Sequence, residues 1–136
     1  MTPLDTHINS WIGRPFRWGE CDCMLVLADW VAEMGGVDPA AEIRGQYWDA
    51  LSCERLTGFI TAPVEAATRY FEAAGLERVD TPERGDIAVL RLAGERHAVG
   101  ALWNGGAWIM KGEAGATSRR ADMVEVLAIW RVGDGK

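Results

Sequence analysis

A change of hydrophobic period near residue 80 constrains this fold more than any other feature. Up to Gly75 the apolar residues recur at helical spacing. After the turn-rich TPERGD they gather into β-rich runs, DIAVLRL, HAVGALW, AWIMK and VEVLAIWRV. Between the second and third runs lies Asn104-Gly105-Gly106, a hairpin signal, because tight two-residue turns need positive φ. Helices first and an antiparallel sheet afterwards define an α+β architecture. With 136 residues and no internal repeat, linker or low-complexity segment, residues 1–136 read as a single domain.

Within the helical half, a short helix is expected over about residues 3–11, ending before Gly13 and Pro15, with a loop from Gly13 to Glu20. Asp22 reads as the N-cap of a helix running from Cys23 to about Met34, stopped by Gly35-Gly36. Only Asp29 and Glu33 make a polar stripe on it, so this helix is expected to be largely buried. VDPAAEIRGQY reads as a loop with a short helical turn, and YWDALSCERLTGFI and APVEAATRYFEAAG as two more helices. His7, among polar residues, is expected at the surface, and Cys53 as a buried structural thiol. Most of the seven tryptophans are expected in or against the core.

A formal charge of −6 argues against nucleic acid as a principal partner, since phosphate binding draws on clustered Lys and Arg. The N-terminal MTPLDTHINSWIG has neither a basic n-region nor an apolar h-region, and no apolar run approaches the roughly 20 residues of a membrane span. A cytoplasmic location in the producing cell and no membrane span are therefore expected. Three cysteines, an odd number, fit free thiols in a reducing compartment.

Cys23 opens the central helix, where unpaired N–H groups and the positive end of the dipole favour a thiolate. A nucleophilic cysteine also needs a base, and His97, after the turn Gly94-Glu95-Arg96, is the candidate. A helix-borne cysteine facing a strand-borne histidine is the arrangement of papain-like cysteine hydrolases.

The segment WIGRPFRWGECDCMLV resembles the motif of the NlpC/P60 family of cysteine peptidases and amidases, and RGDIAVL, HAVGALW and NGGAWIM follow in the family's order. The likeness covers residues 11–35 and 84–115. The chain is similar above all to short NlpC/P60-like proteins encoded among tail genes of prophages and related gene-transfer particles. This resemblance implies a papain-like NlpC/P60 fold without a cofactor. The implied activity is a thiol hydrolase that cleaves amide bonds of peptidoglycan stem peptides by acyl transfer, acting in a phage-type tail or virion.

Carried over by position, Cys23 corresponds to the nucleophile, its backbone N–H to the oxyanion hole and His97 to the general base. Asp22 is read as a helix cap, and Cys21 has no counterpart. Phe16, Arg17, Trp18 and Trp108 are the substrate-cleft candidates, and Arg14, Arg17 and Arg96 flank the cleft in sequence. Phe16 stands where the family usually has Tyr, and Met24 and Leu25 follow the nucleophile where small residues are common. Strand parity places Trp108, Met110 and Gly112 on the face of His97, so Met110 falls at the third catalytic position, where a thioether is a poor acceptor. A bulge would bring in Lys111 instead, and a register change Glu113.

Two other readings stand beside the enzyme. In one, the fold survives as a catalytically degraded structural subunit of a tail tip, its partners being tail-tip or hub proteins rather than a peptidoglycan peptide. In the other, Cys21, Cys23, Cys53 and His97 hold a metal, against which the tight Cys-x-Cys spacing weighs.

Overall fold

The computed structural model describes residues 2–113 and 115–133. Its helical half contains α1 (Pro3–Ile12), α2 (Leu25–Gly35), α3 (Ala50–Thr57) and α4 (Pro63–Ala73). Thr2 caps α1 by accepting from the Asp5 N–H at 3.1 Å, and Asp49 caps α3 by accepting from Ser52 N–H at 2.8 Å. Gly36, at φ +78°, ends α2 in the left-handed conformation that glycine adopts without strain. Then come β1 (Glu77–Val79), β2 (Ile87–Leu92), β3 (Ala98–Trp103), β4 (Trp108–Gly112), β5 (Gly115–Arg119), a 3-10 turn at Ala121–Met123, and β6 (Val124–Arg131). The strands form one antiparallel sheet in the order β1-β6-β2-β3-β4-β5. The α+β class follows directly. No helix among the described residues is long and apolar enough to cross a membrane.

The sheet's two faces are buried in different ways. On one, Ile87, Val89, Leu102, Ile109 and Trp130 pack with α2 and α4 in the main core. The other gathers Ala88, Leu90, Ala101, Trp108, Met110 and Ile129, all nearly inaccessible, and among the described residues the apolar side chains packed around them all lie on strands. The sheet therefore curls and closes this face on its own side chains. A bulge helps: Val89 pairs with Ala128 but Leu90 with Val126, leaving Leu127 as the extra residue that bends β6.

Asp86, at the start of β2, is fully buried. Its carboxylate accepts from the N–H groups of Glu83, Val132 and Gly133 and from Arg131 Nε, at 2.8–2.9 Å. The Gly-Asp of the sequence motif thus ties the entry of β2 to the exit of β6. β1 and β5 were not read from the sequence. Both are edge strands, β1 only three residues long and β5 a polar GATSR segment, so neither carries an alternating apolar signal. Cys53 is buried, as expected, at 5% exposure.

Candidate functional site

The loop between α1 and α2 delivers Asp22 and Cys23. Arg17 and Cys21 exchange two backbone hydrogen bonds, at 2.9 and 2.8 Å, closing a turn that places Gly19 at φ +80°. The Gly19 α-carbon lies against the Tyr47 carbonyl, where a Cβ has no room. Asp22, only 2% exposed, then starts the helix. One carboxylate oxygen accepts from the N–H groups of Met24 (3.1 Å) and Leu25 (2.9 Å), the other from Gly19 N–H (3.0 Å) and the Tyr47 hydroxyl (2.5 Å). The Asp22 carbonyl accepts from Val26 N–H at 3.1 Å. Asp22 is thus the predicted cap of the turn that Cys23 opens, although regular α-helix begins only at Leu25.

Cys23 is half-buried and lines a cavity of about 60 Å³ with Trp18, Ile43, Tyr47, Cys53, Phe59 and Tyr70 among its walls. The backbone N–H groups of Gly100 and of Cys23 itself favour the thiolate. Burial and the adjacent Asp22 carboxylate outweigh them, and the thiol pKa is pushed up to about 12. At neutral pH the sulfur carries its proton. Burial, with Asp22 next, also pushes the Tyr47 phenol up.

The structure does not bring His97 to Cys23. His97 is exposed in the bend before β3, and among the described residues it makes no hydrogen bond, ion pair or ring contact. Strand alternation supplies the reason. Gly100 faces the start of α2, where an added Cβ would lie 2.5 Å from Met24 Sδ and 2.8 Å from the Cys23 carbonyl oxygen. Ala98 is the residue two earlier in this phase. Val99 and Ala101 belong to the opposite face. The Val-Gly pair therefore sits against the thiol-bearing turn, while the histidine is one residue out of phase with it.

Met110 and Trp108 share a face, as parity predicts, but it is the face turned away from α2. Trp108 is 1% exposed and packs on Trp103, with ring centroids 4.9 Å apart, so it lines no cleft near Cys23. Lys111 is buried, and its Nζ donates to the carbonyls of Trp11 and Arg14. Glu113 is exposed beyond the end of β4. No candidate for the third catalytic position thus serves His97. Of the other cleft candidates, Trp18 lines the cavity, Phe16 packs edge-on against Trp18 at 5.5 Å, and the exposed Arg17 pairs with Glu20 at 3.4 Å. Arg14 pairs with Asp29 at 3.5 Å, and Arg96 accepts through its carbonyl from Arg91.

A family model described as a domain of unknown function, DUF6950, matches residues 2–132. The chain belongs to the DUF6950 family. No curated protein and no solved structure matches it.

Three residues that organise this DUF6950 domain were not singled out from sequence for the roles they play. Tyr47 closes over Asp22 from 25 positions away, and no local signal announces it. Lys111 caps the carbonyl end of α1. His7 is buried rather than at the surface: Nδ1 lies 3.2 Å from Glu33 Oε1 and Nε2 lies 3.0 Å from the Val26 carbonyl, with the ring between Trp11 and Trp30. The Leu4, His7, Trp11 spacing was the available sign, since it places all three on one helix face. The cysteines are all free thiols, Cys21 buried in the turn. Among the described residues no group of three or more His, Cys, Asp or Glu side chains is placed to hold a metal ion.

Proposed function

We propose that this chain is an NlpC/P60-like domain of papain-like descent that no longer uses its helix-borne thiol for catalysis and serves as a structural subunit of a phage-type tail. What supports the fold is the thiol at the start of a helix packed on an antiparallel sheet, with the Gly-Asp and Val-Gly motifs on the strands beneath it. What supports the tail is the sequence resemblance. One observation carries the loss of catalysis: Cys23 is held protonated by burial and by Asp22, and His97 does not reach it. Its partners are then other tail-tip or hub subunits, not a peptidoglycan peptide. Of the seven tryptophans, Trp48 alone is broadly exposed, at 72%, so the tryptophans as a group do not make a contact surface.

The test is the rate of iodoacetamide alkylation of each cysteine against pH, mapped by mass spectrometry, in wild type and His97→Ala. Cys23 reacting no faster than Cys53, and indifferent to His97, is the expected result. An apparent pKa under the roughly 8.5 of a free thiol, rising when His97 is removed, restores the hydrolase reading with peptidoglycan stem peptides as substrate.

A further inference from the structure

A strap walls the pocket that Cys23 lines. Residues 37–48 join α2 to α3 with turns of their own: Ile43 and Arg44 donate to the Ala40 carbonyl, and Gln46 to that of Ile43. Among the described residues, the strap's only backbone–backbone hydrogen bond to another part of the chain runs from Gly45 N–H to the Gly19 carbonyl, at 2.8 Å. Yet four of its residues, Pro39, Ala40, Ile43 and Tyr47, wall the cavity that Cys23 lines.

Few contacts fasten it. The Tyr47 hydroxyl donates to Asp22 Oδ2 at 2.5 Å. Arg44 grips Asp38 within the strap and reaches across to Asp29 on α2 at 2.8 Å. Ala40 and Tyr47 are its two buried anchors, each 4% exposed, the Tyr47 ring lying edge-on to Trp18 at 6.4 Å, and Ile43 packs against the core. A second pocket, of about 230 Å³, lies against the same strap and shares Pro39 and Tyr70 with the first. A segment outside the sheet and helices, held mainly by side-chain contacts, opens at a free energy below that of global unfolding.

The geometry points to the strap as a latch: closed, it walls the apolar pocket that the half-buried Cys23 lines, and release of Tyr47 from Asp22 together with Arg44 from Asp29 opens that pocket toward its neighbour and widens access to the thiol. The latch goes beyond the non-catalytic reading, because it makes the thiol's protection conditional. It stands whether or not His97 matters.

Amide hydrogen exchange tests the latch without depending on thiol ionisation. The readouts are Gly45 N–H, on the strap, and the β2–β3 amides, which report global opening. Tyr47→Phe removes the phenol donor, and Arg44→Gln removes the clamp at a partly exposed position that does not endanger the core. Each is expected to speed Gly45 exchange by about 10-fold or more while the β2–β3 amides keep their rates. Cys23 alkylation in Arg44→Gln, which leaves Asp22 and its partners intact, is expected to rise in parallel. Unchanged Gly45 exchange in both variants overturns the latch, as does a rise matched step for step by the β2–β3 amides. A Cys23 that is reactive in wild type and dependent on His97 counts against the non-catalytic reading instead.

Discussion

A carboxylate that caps a helix offsets the positive end of the dipole, so a cysteine placed directly after it feels the acid as well as the helix. In this chain the acid has four donors and the thiol faces apolar walls, which is why position at a helix N-terminus does not make Cys23 a thiolate. Asp22→Asn is expected to lower the Cys23 pKa and speed its alkylation, while costing on the order of 1–3 kcal/mol in urea unfolding through the weakened charged hydrogen bonds. A slower Cys23 in that variant would mean that Asp22 activates the thiol. Native Cys23 keeps its proton to about pH 12, whereas an unfolded thiol releases it near 8.5. Between those values the unfolded state binds fewer protons, so stability falls as pH rises through that window. Cys23→Ser is expected to shrink the fall measured between about pH 8 and about pH 10, leaving the part that the Cys53 thiol, also raised by burial, contributes and, toward pH 10, that of the raised Tyr47 phenol. Asp22 was legible in sequence because capping is local chemistry. Its partner Tyr47 was not, because the contact is made by the tertiary fold.

At the scale of elements, β3 and the start of α2 meet at Gly100. Its α-carbon has no room for a side chain against the Cys23 carbonyl and the Met24 and Leu27 side chains. Gly100→Ala is expected to destabilise by about 1–3 kcal/mol, read by urea unfolding, because backbone as well as side chain must shift. An unchanged midpoint would show that the helix slides freely on the strand. Lys111 does a similar service for α1, donating to the Trp11 carbonyl in its last turn and to the Arg14 carbonyl just beyond it. Lys111→Met keeps the apolar stem and is expected to cost about 1–3 kcal/mol, with α1 amides exchanging faster than those of β2. Four helices and four strands could be read from periodicity and stop signals, and all but α3, whose Leu51 and Leu56 are exposed, bury an apolar stripe or face. The edge strands could not, because they bury too little. The His97 placement shows a finer limit: parity correctly joined Met110 to Trp108, but only the packing of Gly100 tells which face meets the helix.

For the whole molecule, a helical layer covers one face of the sheet and the curled strands close the other on themselves, so each face has its own core. The α+β class was legible because the change of period divides the chain once, near residue 80. Several residues of the motifs carry structural roles in the fold: Asp22 caps, Asp86 pins two strands, and Gly100 admits a helix. The most direct test of a non-catalytic thiol is its own titration. With cysteine labelled by ¹³C at Cβ, the Cys23 resonance can be followed by NMR from about pH 6 to the alkaline limit of the fold, in wild type and His97→Ala. No ionisation of Cys23 below about pH 10 is expected, and the curves of the two proteins are expected to superimpose. A midpoint near or below neutrality that moves when His97 is replaced would contradict a non-catalytic thiol and return Cys23 to the role of nucleophile.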